Sequence, residues 1–260
     1  MGNTVEEKIN DLMLWNDSNL EFVLEPEVYA YLKKVRKFII DYNQFTLLKA
    51  DDRSCLLWSR MWENRLRDLI SDVFSSFCCG NFISASAMTR TLIEHYAYYQ
   101  ILSEHSELAD DWFICNLCGT FKNDENKAEG VIRQYCDVRH ISFDEKWQKY
   151  HSNTFVNAWM TPLFPEKKRP SFRDMCDHLQ KPYLYDDFQS CCNMIHGQDI
   201  RGIIAPFLFY ESIRFRFHLM MTYIFDTIKL TELNSELNVR IQALEDELIT
   251  LIRKYAKITF

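Results

Sequence analysis

Apolar positions recur three and four residues apart along most of this chain, the spacing of helices that each bury one face. Between Pro26 and Ala50 the series is Val28, Tyr31, Leu32, Val35, Phe38 and Ile39, opened by Glu25-Pro26-Glu27. Proline at a first-turn position with acids beside it suits a helix start. A second series from Leu56 through Trp62, Leu66, Ile70 and Phe74 predicts a helix over about 53–79. Gly80 ends it, and Asn81 caps a third helix, Phe82–Leu102. Shorter helices are expected over 106–121, over 128–140 after the polar turn Lys122–Lys127, and from the capping pattern Ser142-Phe-Asp-Glu145. Others are expected over 171–179, 183–195 and 203–229. Residues 151–170 carry three prolines and read as the longest irregular stretch, a candidate lid or partner-facing loop. Residues 1–229 thus form one all-α helical bundle domain.

The tail, residues 230–260, has a different pattern. Leu230, Leu237, Leu244, Leu251 and Ile258 are seven apart, and so are Asn234, Ile241, Leu248 and Tyr255. Labelled as heptad positions d and a, these suit a parallel two-stranded coiled coil, with Asn234 fixing register. Arg240 and Glu245 would attract across its seam. A long C-terminal coiled-coil-like helix that joins two copies into a homodimer is expected. The alternative is an amphipathic helix laid on its own domain.

Composition narrows the class. A chain of 260 residues with 47% hydrophobic content can bury one sizeable core, and six Gly with six Pro argue against a turn-dense β fold. Nine cysteines follow an N-terminus, MGNTVEEKIN, that is polar and acidic rather than a secretory leader, so free thiols in a cytoplasmic setting are expected. No apolar run reaches the ~18–20 residues that span a bilayer, so no membrane partner is expected. The net charge of −7 and pI near 5.5 disfavour a broad grip on nucleic acid. One local basic cluster remains, Lys167, Lys168, Arg169 and Arg173 in PEKKRPSFR. It is either a small RNA-binding surface or a solvated loop.

The third helix carries the chemistry. Arg90, Glu94 and His95 sit among Met88, Leu92, Ile93, Tyr96, Tyr98 and Tyr99. Charges in such company must be paired, and they often mark a site. Arg90 and Glu94 are four apart and share a face. They either fix the register of helix packing or begin a site. Cys115-x-x-Cys118 with Cys136 and His140 has spacing that zinc accepts. Its apolar context with Trp112 and Phe113 is met more simply by buried thiols, so no metal and no cofactor is assigned.

Together with Tyr185–Gly197, YDDFQSCCNMIHG, the third helix resembles a family of bacterial helical proteins of unknown function. Those combine an Arg-x-x-x-Glu helix with a later Tyr…Ser…His-Gly helix, matched here by Arg90, Glu94, Tyr185, Ser190, His196 and Gly197. The resemblance covers roughly residues 50–225. It implies that the two helices face each other. More distantly, Arg90-Thr-Leu-Ile-Glu-His95 resembles the Arg…His mark of the HEPN ribonucleases, as do Arg133…His140 and Arg173…His178. That resemblance implies metal-independent RNA cleavage by a toxin or antiviral-defence effector acting as a dimer. A His takes the 2′-hydroxyl proton and an Arg stabilises the phosphorane charge. On a straight helix Arg90 and His95 diverge by ~140°, which makes His196 the better partner of Arg90. Glu94 would orient them, and Tyr185, Ser190, Lys167, Lys168 and Arg169 would meet the substrate. The alternative is a non-catalytic helical interaction or sensor protein, with a protein partner, in a bacterial defence or toxin–antitoxin setting.

Overall fold

The computed structural model describes residues 26–49, 57–79, 81–152, 155–195, 206–231 and 233–256. His196 and Gly197 lie outside them. Among the described residues the chain is all-α, with no strand and no helix long and apolar enough to cross a membrane. The helices are α1 (Pro26–Lys49), α2 (Leu57–Cys78), α3 (Phe82–Glu104), α4 (Ala109–Thr120), α5 (Glu125–Arg139), α6 (Phe143–Tyr150), α7 (Phe172–His178), α8 (Tyr183–Ile195), α9 (Pro206–Lys229) and α10 (Ser235–Ala256). They fall into two compact units, Met1–Tyr96 with Asp186–Phe260, and Ala97–Tyr185.

In the larger unit the predicted apolar faces are the buried ones. Tyr31, Leu32, Val35 and Ile39 of α1, Leu66, Ile70, Val73 and Phe74 of α2, and Leu92 and Ile93 of α3 are all withdrawn from solvent. Asn81 caps α3 as its sequence suggests, accepting a hydrogen bond from the Ser84 amide at 3.2 Å.

From Leu237 to Leu251 the heptad stripe of the tail is filled within the chain, while Ile258 lies outside the described residues. Leu237, Ile241, Leu244, Leu248 and Leu251 of α10 are buried, and α10 packs mainly on α1. Three ion pairs give the register: Glu27 with Lys254 at 2.5 Å, Lys34 with Glu247 at 2.8 Å, and Asp41 with Arg240 at 2.6 Å. Each step up α1 is seven residues and each step down α10 is seven, so the helices run antiparallel. Tyr31 adds a hydrogen bond from its hydroxyl to the Leu244 carbonyl at 3.1 Å. The residues expected to guide a dimer are used otherwise. Asn234 is exposed and caps α10, accepting from the Leu237 amide at 2.8 Å. Arg240 pairs with Asp41, and Glu245 pairs with Lys229. A heptad pattern states that a helix has a partner at seven-residue spacing; it does not state whose helix that partner is.

The smaller unit is organised around two acids on α4. Buried Asp111 accepts from the Tyr150 hydroxyl at 2.8 Å and pairs with Lys146 at 2.8 Å and Lys149 at 3.4 Å. Asp110 accepts from the Tyr135 hydroxyl at 2.6 Å and pairs with Arg139 at 3.0 Å. These contacts fasten α5 and α6 to α4. Two expectations shift here. The polar run Lys122–Lys127 is partly helical, because Asp124 caps α5 through the Lys127 amide at 3.1 Å and starts it at Glu125. The stretch expected to be irregular contains a 3₁₀ helix, Ala158–Leu163, in which Trp159 and Met160 are fully buried. Trp159 meets the Tyr98 ring edge-on at 5.7 Å. The middle of that stretch is core rather than lid, while its basic end, Lys167, Lys168 and Arg169, is exposed.

Ile241→Ala should destabilise the chain by about 2–4 kcal/mol in urea unfolding, the usual cost of emptying a buried aliphatic site. Light scattering of the same variant separates the two uses of the stripe. A halved mass with unchanged stability would return it to a dimer seam.

Candidate functional site

Arg90 stands on the face of α3 turned to α8. Ser86, buried and four residues earlier, shares that face. The Ser86 hydroxyl contacts the Met194 sulfur at 2.9 Å, while the Arg90 guanidinium lies over the Phe188 ring at 4.7 Å from its centroid. The earlier α3 residue thus meets the later α8 residue, so the two helices run antiparallel. Phe188 and Cys192, four apart, share the face of α8 that Arg90 meets.

The Arg90–Glu94 pair is loose. Nitrogen and oxygen are 3.9 Å apart, with the side chains 38% and 24% exposed. Burial raises the Glu94 carboxyl above its usual range, and Arg90 only partly opposes this. An ion pair of that geometry contributes under ~1 kcal/mol. The ring face of Phe188 adds about 0.5–1 kcal/mol. The Arg90 Nε is buried without a hydrogen-bond partner, so the guanidinium is seated but not saturated. Burial also raises the Cys192 thiol, with Arg90 opposing and Glu94 assisting. A protonated thiol is a poor nucleophile.

His95 belongs to another face. Its ring meets Trp62 of α2 edge-on at 5.1 Å, and its Nδ1 lies 2.9 Å from the Thr91 carbonyl, which can only accept, so Nδ1 carries the proton. Burial pushes its pKa down to about 4; Arg65 adds to the fall, and the Thr91 carbonyl resists it. Arg90 and His95 therefore point into different helix interfaces, as the helical angle requires. The residues of the other two Arg…His matches have contacts of their own. Arg133 pairs with Glu129 at 2.8 Å and lies over Phe143, while His140 is the left-handed cap of α5. Arg173 lies over Tyr185 at 4.7 Å, and His178 packs on Phe164 and His105.

The remaining sequence candidates belong to both units. Ser190 is exposed and donates to the Asp186 carbonyl of its own helix at 3.0 Å. Tyr185 and the basic residues belong to the smaller unit, where Lys167 pairs with Asp174 while Lys168 and Arg169 are exposed. His196 lies outside the described residues. Cys115, Cys118 and Cys136 are buried thiols; burial raises each, Cys118 to about 11. The Cys115 thiol faces the Phe155 and Val156 carbonyls at 3.7 and 3.6 Å. Among the described residues these cysteines and His140 do not converge as a ligand set. Two elements of the site escaped the sequence reading. Phe188 is the ring under Arg90, signalled only by its place four before Cys192. Asp187 accepts from the Tyr223 hydroxyl at 2.6 Å and so ties α8 to α9.

The His95 shift has a definite sign. The unfolded chain binds a proton near pH 6.5, the folded chain only near pH 4. Stability is fully present above pH 6.5 and is lost as pH falls through that window, by at most about 3 kcal/mol. Glu94, shifted upward, works in the opposite direction at the acid end. Thermal midpoints between pH 7 and 4.5 should fall for the wild type and fall less steeply for His95→Leu; parallel slopes would mean that His95 is solvated.

Scans against family models, curated proteins and solved structures give no match, so the role of Arg90 and its neighbours has to be read from their own surroundings.

Proposed function

We propose that this chain is a non-catalytic helical interaction or sensor protein, in which Arg90, Glu94 and Phe188 pin α3 to α8. What supports the reading is the seat of the guanidinium, between a carboxylate on its own helix and an aromatic face on the next. The imidazole that the sequence sets beside it is directed to Trp62 and neutral at pH 7. We place the protein in a bacterial defence or toxin–antitoxin setting with a protein partner, the setting that the resemblance implies.

A second reading keeps the HEPN-like metal-independent ribonuclease. One observation favours it: Arg90 retains exposed surface and an unpaired Nε, so it can still take a phosphate. In sequence, His196 follows Cys192 by the same four-residue step that separates Cys192 from Phe188. In this reading Arg90 stabilises charge, His196 moves the proton and Glu94 orients them. Its homodimer, if formed through α10, requires α10 to leave its own α1 for that of a second copy.

Expression toxicity and RNA integrity separate the two. The interaction reading expects harmless expression, intact total RNA after incubation with purified protein, and a lower unfolding midpoint for Arg90→Ala. Growth arrest by the wild type that both Arg90→Ala and His196→Ala abolish while staying folded would overturn it in favour of the nuclease.

A further inference from the structure

Glu104 is the last residue of α3, His105 follows it, and His178 is the last residue of α7, all within the smaller unit. One ligand atom from each lies within 4.8 Å of the other two. The two imidazole rings are 5.6 Å apart, and Phe164 backs His178 edge-on at 5.6 Å. We infer that Glu104, His105 and His178 form a binding site for one divalent transition-metal ion of the zinc class.

Donor chemistry selects the ion. Two imidazole nitrogens and one carboxylate oxygen suit zinc and its neighbours, whereas calcium and magnesium take oxygen sets. Ligands around a tetrahedral zinc at about 2.0–2.1 Å stand about 3.4 Å from one another. The triad therefore has to contract by an ångström or so. Glu104 and His178 are exposed side chains that can make this move.

Three further features favour a cation there. The Glu107 carboxylate lies 3.2 Å from His105 Nδ1. Accepting the Nδ1 proton, it orients the ring and leaves the Nε2 lone pair for a metal, the usual second partner of a metal-bound imidazole. Glu104 and His178 are also the last residues of their helices, the end at which the helix dipole favours a cation. Finally, Lys181, just past α7, donates to Gln100 in the last turn of α3 at 3.2 Å. That bond holds the two helix ends together before any ion arrives. With three protein ligands and an open side, the fourth position falls to water or an external donor. The site is independent of what Arg90 does.

The test uses the full chain, stripped with EDTA and dialysed, then titrated with zinc chloride by calorimetry and with cobalt chloride by absorption. One equivalent should bind, raise the thermal midpoint, and give tetrahedral cobalt bands without thiolate charge transfer. His105→Ala and His178→Ala should each weaken binding ~10-fold or more, and Glu107→Gln less, with metal-free midpoints unchanged. Absence of saturable binding would overturn the site. So would binding that survives both histidine substitutions, or a thiolate band, since either would put the ion on cysteines.

Discussion

A guanidinium that has traded part of its water for an aromatic ring must be held from both sides, and Arg90 imposes this condition on α3 and α8. Ser86 meets Met194 on the same face, Phe188 supplies the surface, and Glu94 supplies a weak counter-charge. None of these contributions is large alone. Their joint requirement fixes one register between the helices, because sliding either by a residue turns Arg90 away from the ring. Buried charge is weak evidence for stability, and its best-attested use is to specify an arrangement.

The same economy appears in the α1–α10 pair, where three ion pairs at seven-residue steps read out an antiparallel register over a buried aliphatic stripe. The helix content and most helix bounds were legible in the sequence because apolar spacing and caps are local signals. The Asn81 and Ser142 caps are examples. The partner of the tail was not legible. Leu237, Ile241, Leu244, Leu248 and Leu251 announce a helical neighbour, but a second copy and a distant segment of the same chain satisfy them equally. Asn234 misleads in a similar way, since the residue type that sets coiled-coil register is also a preferred N-cap.

Among the candidate site residues, the sequence correctly isolated Arg90 and Glu94 as a charged pair in an apolar helix and separated His95 from Arg90 by angle. Both follow from spacing within one helix. Phe188 did not emerge, because an aromatic residue on an amphipathic helix looks the same whether it fills a core or carries a cation. Glu104, His105 and His178 could not have been grouped, since nothing local ties the end of α3 to the end of α7. Only the fold brings those three donors together.

The central claim is that Arg90 acts as a packing cation between α3 and α8. A double-mutant cycle tests it most directly, with Arg90→Met, Phe188→Leu and the double variant compared in reversible denaturant unfolding. The account predicts a coupling of about 0.5–1 kcal/mol, with each single change destabilising. Additive effects, or an Arg90→Met variant more stable than the wild type, would contradict it and return Arg90 to the role of a residue kept for a ligand.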